Sequence, residues 1–204
     1  MIKLILRLFP IAVFIVLGAA YVHRAELKAE VMQLQAQHQP AVTTSFPLLD
    51  TNGFSETQLR LLAQLKLEYD KKPLSFDPTV LKYTDGVKEP WCADFVSWNM
   101  RELGQPLVNP NGGGWRIPGV YTLREYYQSA GRWKPAGDYV PTFGDVAIYA
   151  KTPAKSHTNF VLKVDTKTRT MVTIGGNEQG RLRLSARSYS PPIGDIAGFG
   201  SLQN

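Results

Sequence analysis

Between Leu8 and Val22 the chain carries no charged residue, and Lys3 and Arg7 precede the stretch. A charged start followed by an apolar run is the pattern of an export segment. The run approaches membrane-spanning length if Leu4 to Leu6 join it, with Arg7 snorkelling. A soluble helix would be apolar on every side only at the centre of a fold. The pattern therefore predicts a membrane segment over 1–24. It is either a signal anchor that stays or a signal peptide cut after Gly18-Ala19-Ala20, and both place the remaining chain outside the cytoplasm. Residues 25–54 read as a helical stalk and linker. Glu26 to Gln39 suits a short helix whose apolar positions, Leu27, Val31, Met32 and Leu34, are too few for a coiled coil. Pro40 to Asn52 mixes Pro, Thr, Ser and Gly as a linker does.

A periodic pattern begins at Phe54-Ser55. With Ser55 as N-cap, Leu59, Leu62 and Leu65 predict a helix from Glu56 to about Tyr69. Lys71 to Pro90 is turn-rich. A helix starts at Trp91-Cys92 and runs to Glu102-Leu103, stopped by Gly104 with Pro106 behind it. Asn109 to Gly114 forms a loop ending at Trp115, and Val120 to Ala130 forms a helix closed by Gly131. After Pro141 the period changes to short β-branched and aromatic runs: Asp145–Tyr149, Thr158–Val164, Thr170–Ile174, Arg181–Leu184 and Ile196–Phe199. Helices first and an antiparallel sheet second make an α+β domain over 55–204.

Length and composition narrow this little. The chain has 204 residues, room for one ordinary domain with some extra sequence, and 44% of them are hydrophobic. A formal net charge of +6 suits nucleic acid, an anionic membrane or an acidic polymer such as a bacterial cell wall. No lysine-rich arm or nucleic-acid-binding motif accompanies it, so nucleic acid is not expected as a partner. Cys92 is the single cysteine, which leaves an intermolecular disulfide, a small buried hydrophobe or a reactive thiol.

Position favours the last. Cys92 opens a helix, where backbone N–H groups and the positive end of the dipole favour a thiolate, although Asp94 in the same turn partly opposes this. A thiolate wants a base or cationic partner. The histidines are His23, His38 and His157, and only His157 falls within the predicted domain. If Thr158–Val164 and Thr170–Ile174 pair as a hairpin about Lys167, His157 lies opposite Asn177. The Asn177 side-chain amide would then orient the imidazole, the third role in such triads. Asn177 also suits a left-handed turn position beside Gly175-Gly176. Glu178, one residue on, faces elsewhere unless a bulge intervenes, and is held in reserve. Trp91 and Trp115 are candidates to line a substrate groove, although tryptophans beside a motif are commonly core. No Cys/His cluster offers a metal site, and no cofactor is expected.

Four segments carry a resemblance. Trp91-Cys92-Ala93-Asp94-Phe95-Val96-Ser97-Trp98 looks like the cysteine motif of the CHAP family, the cysteine, histidine-dependent amidohydrolases and peptidases. Phe143-Gly144-Asp145-Val146-Ala147-Ile148-Tyr149, His157-Thr158-Asn159-Phe160-Val161 and Thr173-Ile174-Gly175-Gly176-Asn177 match later blocks in order, so that the similarity covers about Gln58 to Phe199. The resemblance implies a papain-like fold and cleavage of peptidoglycan amide bonds, either as an N-acetylmuramoyl-L-alanine amidase or as a stem-peptide endopeptidase. Two departures stand out. The family often has Val-Gly or Val-Ala after the histidine, where this chain has Thr158-Asn159. Many members place a glutamate two positions before the matched asparagine, where this chain has Gly175. A non-catalytic wall-binding or scaffolding protein would break the cysteine–histidine pair, which is intact here. A signal-anchored phage lysin would use the same chemistry in another setting, and an amidase or transglutaminase-like enzyme on a different small amide would share the fold.

Overall fold

In a computed structural model of the chain, Ser55 caps helix α1 (Glu56–Asp70) as its position predicts. Its hydroxyl accepts from the Gln58 amide at 3.3 Å, and the Gln58 side chain accepts from the Ser55 amide at 3.0 Å, closing a reciprocal capping box. The structure describes residues 41–43, 45–75, 77–137, 139–150, 156–189 and 196–202. These belong to one compact unit, Pro40–Asn204. The membrane segment expected over 1–24 and the stalk helix expected over 26–39 lie outside the described residues. Among the described residues no helix is long and apolar enough to cross a membrane.

Three more helices follow: α2 (Pro78–Leu81), α3 (Cys92–Glu102) and α4 (Val120–Ser129). The strands are β1 (Ala41–Thr43), β2 (Trp133–Pro135), β3 (Val146–Ala150), β4 (Ser156–Asp165), β5 (Thr170–Glu178), β6 (Arg181–Ser188) and β7 (Ile196–Gly200). They pair antiparallel throughout in the order β1-β6-β5-β4-β3-β7-β2. The α+β expectation holds. Three short elements escape the sequence pattern. β1 forms where a linker is expected, α2 interrupts the turn-rich region, and β2 pairs with the end of β7. Strands of three residues carry too few positions to show a period, and their pairing comes from a neighbour's open edge.

Helix α3 sits at the centre. Every residue from Cys92 to Met100 is buried, so this part of the helix has no solvent face. It packs on β4 and β5, and the Phe95 ring meets Phe160 edge-on with centroids 6.2 Å apart. Alternation along the strands splits the interior in two. Val146, Ile148, Phe160 and Leu162 join the helix-side core, whereas Ala147, Tyr149 and Val161 join a second cluster with Met171, Tyr189 and Phe199.

An aromatic stack fixes the entrance to α3. Tyr83, fully buried, lies parallel to Trp91 at 5.5 Å and edge-on to Phe95 and Trp98. Its hydroxyl donates to Glu68 at 2.5 Å, and Lys71 and Lys82 pair with the same carboxylate. Burial pushes Glu68 up, and these three donors more than offset it, so the carboxyl stays below its ordinary range. Removing only the hydroxyl, as in Tyr83→Phe, is expected to cost about 1.5–3 kcal/mol of folding stability, the value of a hydrogen bond to a charged group. Urea denaturation measures it; an unchanged midpoint would contradict the assigned bond.

Candidate active site

Cys92 is the first residue of α3, and no side chain caps that helix, because Trp91 stands at the N-cap with nothing to accept a hydrogen bond. The first helical bond runs from the Phe95 amide to the Trp91 carbonyl at 2.9 Å. The amides ahead of it, that of Cys92 included, are without an intrahelical acceptor, which concentrates positive potential at the sulfur. Cys92 is a free thiol and 7% exposed.

Asp94, two residues on, is the charge that works against that potential. It is fully buried, and the Arg116 guanidinium donates through Nε to its Oδ1 at 2.8 Å while also pairing with Glu89. Arg116 follows the Asn109–Gly114 loop, whose fold is set by hydrogen bonds of Asn109: its side-chain amide donates to the Arg116 carbonyl at 2.7 Å and its Oδ1 accepts from the Asn111 amide at 2.9 Å. The loop thus delivers a guanidinium that neutralises Asp94.

His157 is the second residue of β4. Its Nε2 lies 3.3 Å from Oε1 of Glu178, and the Cys92 side chain acts on the ring as well. The imidazole also stacks on Tyr149, centroids 6.3 Å apart at 27°. Burial pulls the imidazolium down, but the sulfur and the Glu178 carboxylate together raise His157 to about 9. Glu178 responds in the opposite sense: burial pushes it up, and His157, Ser185 and Arg187 bring it down to about 2. Between these limits the pair is an imidazolium facing a carboxylate.

The hairpin register is close to the one the sequence predicts. Phe160 pairs with Ile174 and Val161 with Thr173, which carries His157 opposite Asn177, before a bulge shifts the far end of the hairpin. The side chain at the imidazole is nevertheless the Glu178 carboxylate, not the Asn177 amide. Between Gly175 and Glu178 the pairing of β5 with β6 slips by one residue, and Asn177 has φ +58. This bulge turns Glu178 toward His157 and Asn177 aside, where its Oδ1 accepts from Ser75 at 3.2 Å. The sequence signal was an αL-tolerant Asn following two glycines, which favours a bulge as much as a turn.

Those glycines have steric reasons. A Cβ on Gly176 would lie 2.5 Å from the Trp91 ring, so β5 closes on the start of α3 only without one. A Cβ on Gly175 would meet the Asn159 side-chain oxygen at 1.8 Å. Asn159, fully buried on β4, donates through Nδ2 to Glu178 Oε1 at 2.6 Å and to Thr173 Oγ1 at 3.0 Å. Ser185 Oγ donates to Oε2 of Glu178 at 2.5 Å, and Arg187 stands 3.3 Å from Oε1. Sequence reasoning passed over Asn159, although a polar amide beside Phe160-Val161 in a buried strand was the available clue.

The tryptophans fare differently from expectation. Trp91 is 1% exposed, stacked in the core with its indole donating to Ser75 at 3.0 Å, and so does not line a groove. Trp115 is half-buried and covered by the Arg101 guanidinium 4.1 Å above its ring, against the last turn of α3 rather than at Cys92.

The model of the CHAP domain matches residues 82–177, a span that contains Cys92, His157 and the glycine bulge. Over that span the chain is similar to the CHAP domain, the module of cysteine- and histidine-dependent amidohydrolases and peptidases. No curated protein and no solved structure matches the chain.

Replacing Arg116 by Met leaves the buried Asp94 without its counter-charge, and a loss of about 3–5 kcal/mol is expected. A carboxyl whose affinity for protons is raised by burial destabilises the fold as pH rises through its titration. The loss should therefore be larger at pH 8 than at pH 5. Equal denaturation midpoints for variant and parent at pH 8 would rule this account out.

Proposed function

We propose that this domain hydrolyses amide bonds of peptidoglycan through a thioester on Cys92, with His157 as base and acid and Glu178 orienting His157. The observation that carries the reading is the contact chain from the Cys92 sulfur through the imidazole to a buried carboxylate. An imidazolium beside a sulfur favours the thiolate form that attacks a carbonyl.

Attack of the thiolate on a substrate carbonyl forms the C–S bond and moves the carbonyl electrons onto oxygen. The Cys92 amide at the uncapped helix start is placed to donate to that oxyanion. His157 gives its proton to the departing amine as the C–N bond breaks. Neutral His157 then takes a proton from water, whose oxygen attacks the thioester, and the thiolate leaves. Glu178 keeps its charge throughout and holds the ring against the sulfur. A basic chain, +6 at neutral pH, suits an anionic wall polymer. The bond cut is either that between muramic acid and L-alanine or one within the stem peptide. The expected export segment would bring the domain to that polymer.

Purified sacculi provide the substrate for the test. Cys92→Ala should release no fragments while keeping the parent's far-UV spectrum and melting temperature; release at the parent's rate would end the assignment. Mass spectrometry of fragments from the parent enzyme separates amidase, which frees N-terminal alanine, from endopeptidase, which cuts inside the peptide. Among third residues, Glu178→Ala should lower kcat much more than Asn177→Ala, and the reverse order would return the role to Asn177.

A further inference from the structure

Resting on this reading of Cys92 and His157, we propose that Asn159 is a positioning residue for the reaction, holding the Glu178 carboxylate against His157 in a space that only glycine at 175 leaves open. Glu178 ends β5 just beyond a register shift, where its backbone pairs with Arg181 of β6. The contact with His157 alone does not fix its carboxylate. Nε2 and Oε1 are at ion-pair distance, but among the described residues Nε2 has no aligned hydrogen-bond partner. The aligned bonds come from behind: Asn159 Nδ2 on Oε1 at 2.6 Å and Ser185 Oγ on Oε2 at 2.5 Å. Arg187 adds a more exposed contact of 3.3 Å to Oε1.

Asn159 is built for this one task. Among the described residues both of its hydrogen bonds leave from Nδ2, to Glu178 and to Thr173, while its buried Oδ1 meets no donor. An asparagine serving stability alone would satisfy both ends of its amide. Thr173 fixes the amide's second hydrogen and is itself anchored to the Ser185 carbonyl at 3.3 Å. The donor aimed at Glu178 is thus set by two neighbouring strands. Gly175 completes the arrangement, because a methyl group there would overlap the Asn159 oxygen.

Among the described residues, the groups facing His157 come from three elements: Cys92 on α3, Tyr149 on β3 and Glu178 on β5, with Arg187 on β6 reaching the same carboxylate and covering the Tyr149 ring. Of these, only the placement of Glu178 depends on Asn159. Asn159→Ala is therefore expected to lower the pH at which His157 titrates by one unit or more. It should also reduce kcat by about 10- to 100-fold, the size of effect seen when the partner orienting a metal-ligating histidine is removed, with little change in KM.

The experiment is an NMR titration of the imidazole in the full chain, with the His157 signal identified by its loss in His157→Gln, alongside fragment-release kinetics. Gly175→Ala should reproduce the shift by displacing Asn159. Combined with Asn159→Ala, which clears that space, it should add nothing further. A His157 titration and kcat in Asn159→Ala equal to the parent's, or effects of the two substitutions that simply add, would overturn the proposal. Because the titration needs no substrate, it stands apart from the assignment of Cys92. Retained hydrolysis in Cys92→Ala would end that assignment and leave the titration result to be judged alone.

Discussion

A carboxylate taken out of water stays ionised only where donors and a positive charge surround it, and Glu178 occupies such a place. Asn159 from β4, Ser185 and Arg187 from β6 and the imidazole of His157 all reach it. The site depends on this buried charge. With the Cys92 side chain, it raises His157 above its ordinary value against the pull of burial, and a cation beside a sulfur is what a cysteine nucleophile requires. The rest of the fold serves to bring that pair to the first turn of one buried helix.

Two close approaches bring them together. Gly176 lets β5 pass against Trp91, so the bulge that carries Glu178 lies next to the residue preceding Cys92. Trp91 is itself held by Tyr83 and Ser75, and Ser75 also holds Asn177 in its αL turn. The aromatic stack below α3, the bulge in β5 and the imidazole in β4 are therefore one assembly. On the other flank, the Asn109–Gly114 loop supplies Arg116 to Asp94, removing a negative charge that would compete with the thiolate. A loop readable as a mere connector thus carries an electrostatic function.

Much of this was legible in the residues. The helix starting at Cys92, the hairpin of β4 and β5 and its register at Phe160 and Val161 follow from capping, period and turn chemistry. Glu178 stands where Asn177 is expected because a one-residue bulge, the condition on which the sequence keeps Glu178 in reserve, reverses which side chain faces inward. Trp91 was offered to substrate because its neighbours in space, Tyr83 and Gly176, are distant in sequence. The two departures from the family pattern, Asn159 and Gly175, look unrelated as letters. In the fold they touch, and the missing side chain of one is the space the other fills.

The central claim is that the sulfur of Cys92 becomes covalently acylated during turnover. Quenching the enzyme in acid while it digests sacculi, then mapping its peptides by mass spectrometry, tests this most directly. The account predicts a wall-derived acyl group on the peptide containing Cys92, removable by hydroxylamine as a thioester is. Continued fragment release by enzyme whose Cys92 has been fully blocked with iodoacetamide would contradict it.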